Sequence, residues 1–237
     1  MHMRLLLISN STNAGENYLD YPKMEIKKFL GGKKITGLFI PYAGVSITFD
    51  DYAKKVKTRF KEVGHDICSI HEFSDPVAAV QEAEAIVVGG GNTFNLIKMI
   101  HDNQLIGPVR EKVMSGTPYI GWSAGSNVAC PTIRTTNDMP VVEPKSFDAF
   151  QLVNFQINPH YLDANPDGHA GETREERIKE FLEANRKMTV LGLREGCILH
   201  IEGKEMKLIG NKPVRIFNYG EEPYEMTAKD QFNSFMP

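Results

Sequence analysis

The strongest constraint on the fold is a repeated pairing of a short, unbroken apolar run with a longer stretch of helical periodicity. The runs at 4–8, 36–40, 66–70, 85–88 and 118–121 read as strands, as do those at 153–157 and 189–193. Apolar character is continuous rather than alternating, which places both faces of these strands against other layers, as in a mostly parallel sheet. Helices are predicted between them at 18–30, 51–63, 76–82, 93–102 and 108–114. A further amphipathic helix spans 172–185, with Thr173 or Gly171 near its start. This alternation predicts a doubly wound α/β fold with a mostly parallel sheet flanked by helices. Past residue 193 the runs at 197–202, 207–209 and 214–218 are split by Gly203, Gly210, Asn211 and Pro213. They predict an antiparallel meander at one edge. No Pro/Gly/Ser-rich linker or repeat interrupts the chain, so its 237 residues are read as a single domain.

Composition removes several classes of function. A net charge of -3 gives no basic footprint for nucleic acid and no attraction to anionic membranes. The apolar run at the amino end stops at Ser9-Asn10, too short for a secretory signal or a membrane span. Met1-His2 ahead of a second methionine has the form of a cloning scar. Cys68, Cys130 and Cys197 are odd in number and widely spaced, which suits a reducing cytoplasm and offers no thiolate metal cluster.

Against that background one pentapeptide carries chemistry. Gly121-Trp122-Ser123-Ala124-Gly125 follows an apolar strand and precedes a helix-compatible stretch, the context of a nucleophile elbow. A serine there projects over the carboxyl edge of the sheet, where open α/β folds bind ligands. The Ala124 N–H beside it is suited to hold an oxyanion. Ser126 lies one helical turn further in, and Cys130 reads as a small buried hydrophobe deeper in the helix. Gly89-Gly90-Gly91-Asn92 links a strand to a helix, but Phe94 stands where a dinucleotide fingerprint needs its third glycine. The loop therefore reads as the source of a second oxyanion donor. As base, His160 ends an apolar strand just past Pro159, with His169 and His71 as alternatives. Glu195 ends the next strand before a glycine turn and is the candidate to orient the imidazole, with Asp163 and Glu172 behind it.

The elbow, Cys130-Pro131-Thr132-Ile133-Arg134-Thr135-Thr136-Asn137-Asp138-Met139-Pro140, Ile157-Asn158-Pro159-His160 and Gly171-Glu172-Thr173-Arg174 form a set of four segments. Together they resemble the peptidase E family of bacterial α-aspartyl dipeptidases. The resemblance runs over nearly the whole chain and implies a class I glutamine amidotransferase-like fold. Class I glutamine amidotransferases themselves use a Cys nucleophile and an acid two residues after the histidine, where this chain has Leu162. The resemblance further implies a serine triad of Ser123, His160 and Glu195, and an oxyanion hole from the N–H groups of Gly91 and Ala124. Arg174 would recognise the aspartate of a small Asp-X peptide, and Asn92, Asp138 or Glu172 would meet its α-amino group. No metal or cofactor is implied, and the enzyme would act in the cytoplasm as a monomer or homodimer. A cyanophycinase-like β-aspartyl hydrolase and a non-catalytic anion-binding relative are the rival readings.

Overall fold

The computed structural model describes residues 3–165, 168 and 170–235. Met1-His2 and His169, singled out above, lie outside the described residues. Five strands form the parallel part of a seven-stranded sheet: β1 (Arg4–Ile8), β2 (Thr36–Ile40), β3 (Asp66–Ser69), β4 (Ile86–Val88) and β5 (Tyr119–Trp122). Between them run α1 (Lys23–Leu30), α2 (Phe49–Glu62), α3 (Pro76–Glu82), α4 (Thr93–Asp102) and α5 (Ile106–Met114). Strand order is β3-β2-β4-β5-β1, so β1 and β5 pair at the centre, and β4 follows beside β5.

The unbroken apolar runs have the expected cause. Along β1, Leu5 and Leu7 enter one buried cluster while Leu6 and Ile8 enter another on the opposite face. In β2, Leu38 and Ile40 part from Phe39 in the same way. A strand covered on both sides has no position for a polar side chain.

The second half of the chain departs from the reading of the sequence. β6 (Gln156–Tyr161) and β7 (Thr189–Arg194) do not extend the main sheet. They pair in parallel in a separate four-stranded sheet, order β11-β10-β7-β6. The predicted meander is divided between the two sheets. β8 (Ile198–Glu202) and β9 (Glu205–Ile209) join the main sheet antiparallel beside β1, whereas β10 (Val214–Asn218) crosses to β7 and carries β11 (Tyr224–Met226). Residues 152–155 remain irregular because the Leu152 N–H and the Val153 N–H both turn to the Ala129 carbonyl, although Val153 and Phe155 are buried. The first helix begins only at Lys23, after Leu19 at φ 54° and Pro22 at the cap. The helix after the elbow, α6 (Ala124–Asn127), is a single turn, so Cys130 lies beyond it. α7 (Arg174–Ala184) starts at Thr173, whose side chain closes a capping box with Glu176.

One buried cluster contains Leu5 and Leu7 of β1, Ile157 of β6, Leu191 and Leu193 of β7, and Ile216 of β10. The two sheets thus share one apolar cluster.

Candidate active site

Ser123 follows β5 directly and sits at φ 53°, ψ -113°, a conformation that a side chain adopts only when its surroundings enforce it. The enforcement is visible in the packing. A Cβ on Gly121 would overlap the Gly125 carbonyl, and one on Gly125 would overlap the Val88 carbonyl. Both motif glycines are therefore steric requirements of the turn. The Ser123 N–H donates to Ile8 O at 3.0 Å, and the Ser126 hydroxyl lies 2.8 Å from both Ile8 O and Gly121 O. Ser126 is fully buried and its oxygen is committed to holding the elbow. Burial pushes the Cys130 thiol up to about 12, and its sulfur accepts from the Ile157 N–H at 3.2 Å.

His160 belongs to the other sheet and also has a left-handed backbone, φ 53°. The register of β6 against β7 shifts between Pro159 and Tyr161, so His160 is bulged out of the ladder. That bulge aims its ring at Ser123, with Nε2 2.9 Å from Ser123 Oγ. Nδ1 lies 2.7 Å from Glu195 Oε1. An ionised carboxylate only accepts, so Nδ1 carries the ring proton and Nε2 is left to accept from the serine hydroxyl. The structure thus brings Ser123, His160 and Glu195 into one hydrogen-bonded chain. The rival acids are placed elsewhere. Asp163 binds the Arg194 guanidinium, with Nε to Oδ2 at 2.9 Å, and Glu172 lies 3.6 Å from Arg177 Nε. His71 is bonded between Ser69 Oγ and Asp50 Oδ1, far along the sheet at the end of β3.

The glycine loop packs on the elbow. A Cβ on Gly90 would stand 3.0 Å from Ser123 Cβ, and one on Gly91, at φ 132°, would overlap the Ala43 carbonyl. Among the described residues, neither the Gly91 N–H nor the Ala124 N–H is donated to an acceptor. Asn92 lines the cleft with its neighbours, but its side chain is engaged: Oδ1 caps α4 through the Asn95 N–H, and Nδ2 donates to Met139 O at 2.8 Å.

Arg174, the first residue of α7, is half-buried in a cavity of about 330 Å³ shared with Ser123, His160, Thr93, Thr136 and Asp138. No acid lies within ion-pair distance of it among the described residues, and burial together with neighbouring Arg177 holds its pKa below the usual value, with Asp138 opposing. Asp138 accepts from the Thr93 N–H at 2.7 Å and the Thr93 hydroxyl at 2.6 Å, through Oδ2 alone. The long segment 130–140 is the bracket that holds this wall. Asn137 donates to Pro159 O and accepts from Asn158, while Thr135 Oγ1 donates to Ile157 O. Among the described residues no group of three or more His, Cys, Asp or Glu is placed to hold a metal.

Comparison with known proteins gives the family. A family model described as Peptidase family S51 matches residues 5–209. The chain belongs to peptidase family S51. It is accordingly a serine-type peptidase, a hydrolase. It is 51% identical over 233 residues to a protein named Peptidase E from Nostoc sp., covering 98% of this chain and 96% of that one. It is 45% identical to the Peptidase E of Salmonella typhimurium, over 97% of this chain and all of its relative. Among solved structures, a peptidase from an acI-B1 Actinobacterium superposes with a TM-score of 0.72 at 19% identity, covering 98% of this chain and 97% of that one. A Listeria monocytogenes structure gives 0.66 at 22% identity over 90% of this chain.

In this S51 chain several residues that the sequence reading passed over shape the site. Ser9 and Asn10, just past β1, reach across to the second sheet. Ser9 Oγ accepts the His160 N–H at 3.0 Å and donates to Leu193 O at 2.7 Å. Asn10 Oδ1 accepts the Gly196 N–H at 2.8 Å, fixing the turn after Glu195. Arg194, pinned by Asp163 and Glu225, anchors the same turn from its other side. Tyr52 on α2 donates its hydroxyl to Gly90 O at 2.8 Å. The available signal was position: polar residues at the carboxyl end of a central strand face the ligand side of such a sheet.

Proposed function

We propose that this chain is a dipeptidase that removes an amino-terminal aspartate from Asp-X substrates through an acyl-enzyme on Ser123. The observation that carries the reading is the cavity in which Ser123 and His160 face Arg174 and Asp138. Arg174 offers a planar, permanently charged fork for the substrate β-carboxylate. The Asp138 oxygen left over from its bonds to Thr93 suits the substrate ammonium, whereas the Asn92 side chain is already occupied. The curated relatives' name, Peptidase E, fits this substrate.

Ser123 Oγ attacks the scissile carbonyl carbon as its proton passes to His160 Nε2. The N–H groups of Gly91 and Ala124 hold the oxyanion. His160 then gives the proton to the leaving nitrogen, the C–N bond breaks, and the aspartyl ester remains on Ser123. Water attacks that ester with His160 again as base, releasing aspartate. Glu195 keeps the ring proton on Nδ1 and stabilises the imidazolium. No helix among the described residues is long and apolar enough to cross a membrane. The free cysteines and the acidic balance suit the cytoplasm, with the protein acting as a monomer or homodimer on small peptides. Incubation with Asp-Leu, β-Asp-Leu and Asn-Leu is expected to free leucine from Asp-Leu alone. Release from β-Asp-Leu instead would replace the reading with a β-aspartyl hydrolase.

One prediction arises from the glycine loop. In a trans peptide the carbonyl and the following N–H point in opposite directions. By holding Gly90 O, Tyr52 turns the Gly91 N–H away from itself and, on this reading, toward the developing oxyanion. Burial pushes the Tyr52 phenol up to about 12, so it stays a neutral donor, and Tyr18 donates to it in turn. Tyr52→Phe keeps the ring and frees the peptide plane. Steady-state kinetics on Asp-Leu are expected to show kcat about tenfold to a hundredfold lower, less than loss of an oxyanion donor itself, with KM within about twofold. A raised KM with unchanged kcat would place Tyr52 in ground-state binding instead.

A further inference from the structure

Ser123 and His160 stand where two cavities meet, since both line the Arg174 cavity and both line a second cleft of about 500 Å³. The second cleft runs beneath residues 43–47 and along α2, with walls of Ala43, Val45, Ile47, Tyr18 and Trp122. Val45 and Ile47 are exposed large apolar side chains at its rim, 58% and 36% accessible. Among its described lining residues there is no Asp or Glu, and Lys55 brings the one permanent cation. If the aspartyl residue occupies the Arg174 side, the leaving residue must emerge on this one.

We infer that the second cleft is the leaving-residue subsite, built for an apolar residue with a free α-carboxylate, and that Lys55 binds that carboxylate. This assignment rests on the proposal that Asp-X is cleaved at Ser123. Lys55 is exposed on α2, and no acid lies within 4.0 Å of its ammonium among the described residues. The acid one turn before it, Asp51, is engaged with the Thr48 hydroxyl at 2.7 Å. Instead the ammonium rests 4.0 Å over the Tyr18 ring. That ring is itself held, its hydroxyl on Tyr52 at 3.2 Å and its edge against Trp122 at 6.3 Å between centroids. A cation seated on an aromatic wall keeps its remaining donors for a ligand. In a dipeptide the carboxylate lies on the residue whose nitrogen departs, within reach of such a wall. A longer peptide presents a neutral amide there, so the same lysine selects chain length as well as binding strength.

The test compares Asp-Leu with Asp-Leu-amide on the wild-type chain, Lys55→Met and Lys55→Arg. Wild type is expected to favour Asp-Leu about tenfold in kcat/KM, between the fold-changes of a surface ion pair and of a charge-assisted hydrogen bond. Lys55→Met is expected to close that gap by lowering Asp-Leu about tenfold, and Lys55→Arg to preserve most of it. A gap that survives Lys55→Met, or a wild type that cleaves both substrates equally, overturns the role of Lys55 alone. A wild type that frees neither leucine from Asp-Leu nor leucinamide from Asp-Leu-amide overturns the Asp-X assignment as well, so the two failures are told apart. Since Lys55 is exposed, matching melting temperatures are expected for all three proteins.

Discussion

Ser123→Ala is expected to lower turnover of Asp-Leu by roughly a millionfold, the scale on which a triad nucleophile is lost in a serine protease. The fold should survive. Ser123 Oγ makes its recorded bond to His160, caps no helix N–H, and leaves the strained backbone to be set by Gly121 and Gly125. Chromatographic detection of leucine together with a thermal melt checks both halves of the statement. Ser126→Ala is the informative control. Its buried oxygen bridges β1 and the elbow, so its loss is expected to cost stability of about 1–3 kcal/mol while most turnover remains. If Ser126→Ala were the silent enzyme and Ser123→Ala the active one, the nucleophile would have to be reassigned.

The next largest effect concerns substrate choice. Arg174→Met is expected to reduce kcat/KM for Asp-Leu at least about thirtyfold, since removing one partner of a shielded charge pair typically costs about 2–5 kcal/mol. The same change should narrow the difference between Asp-Leu and Asn-Leu, because only the charged substrate loses its partner. Arg177 is the comparison: it is exposed and lies 3.6 Å from Glu172, so Arg177→Met should do far less. Glu-Leu places its charge one methylene further out and should remain a poor substrate of both. Equal losses on Asp-Leu and Asn-Leu would give Arg174 a structural role and send the search for the aspartate pocket to Arg177 or Arg134.

What could be read from the sequence follows a physical divide. Strands buried on both faces announce themselves by unbroken apolar character, and β1, β2 and β4 lie where the runs placed them. The elbow was legible because its two glycines answer a local steric demand. The division into two sheets was not: β7 has the same apolar character as the strands of the main sheet, β6 carries Gln156, Asn158 and His160, and nothing local encodes which partner a strand finds. The bulge at His160 escaped notice for a related reason. Its positive φ belongs to a histidine rather than a glycine, and Ser9 from a distant strand helps hold it. Asp163 and Glu195 both flank strand ends, and only the three-dimensional position of Arg194 separates them.

That division has a mechanical consequence. The hydroxyl of Ser123 rides on one sheet, while the imidazole and carboxylate ride on the other, and their bond of 2.9 Å spans the seam between them. Asn127, just after the elbow, is tied across the same seam to Ile157 O at 2.8 Å, as is Ser9 to His160. A displacement of about 1 Å between reacting groups can cost on the order of a hundredfold in rate. Hydrolysis by this chain is therefore a vernier for the seating of its two layers. A substitution deep in the seam that leaves each ladder of hydrogen bonds whole would still silence the enzyme by letting one sheet slide against the other.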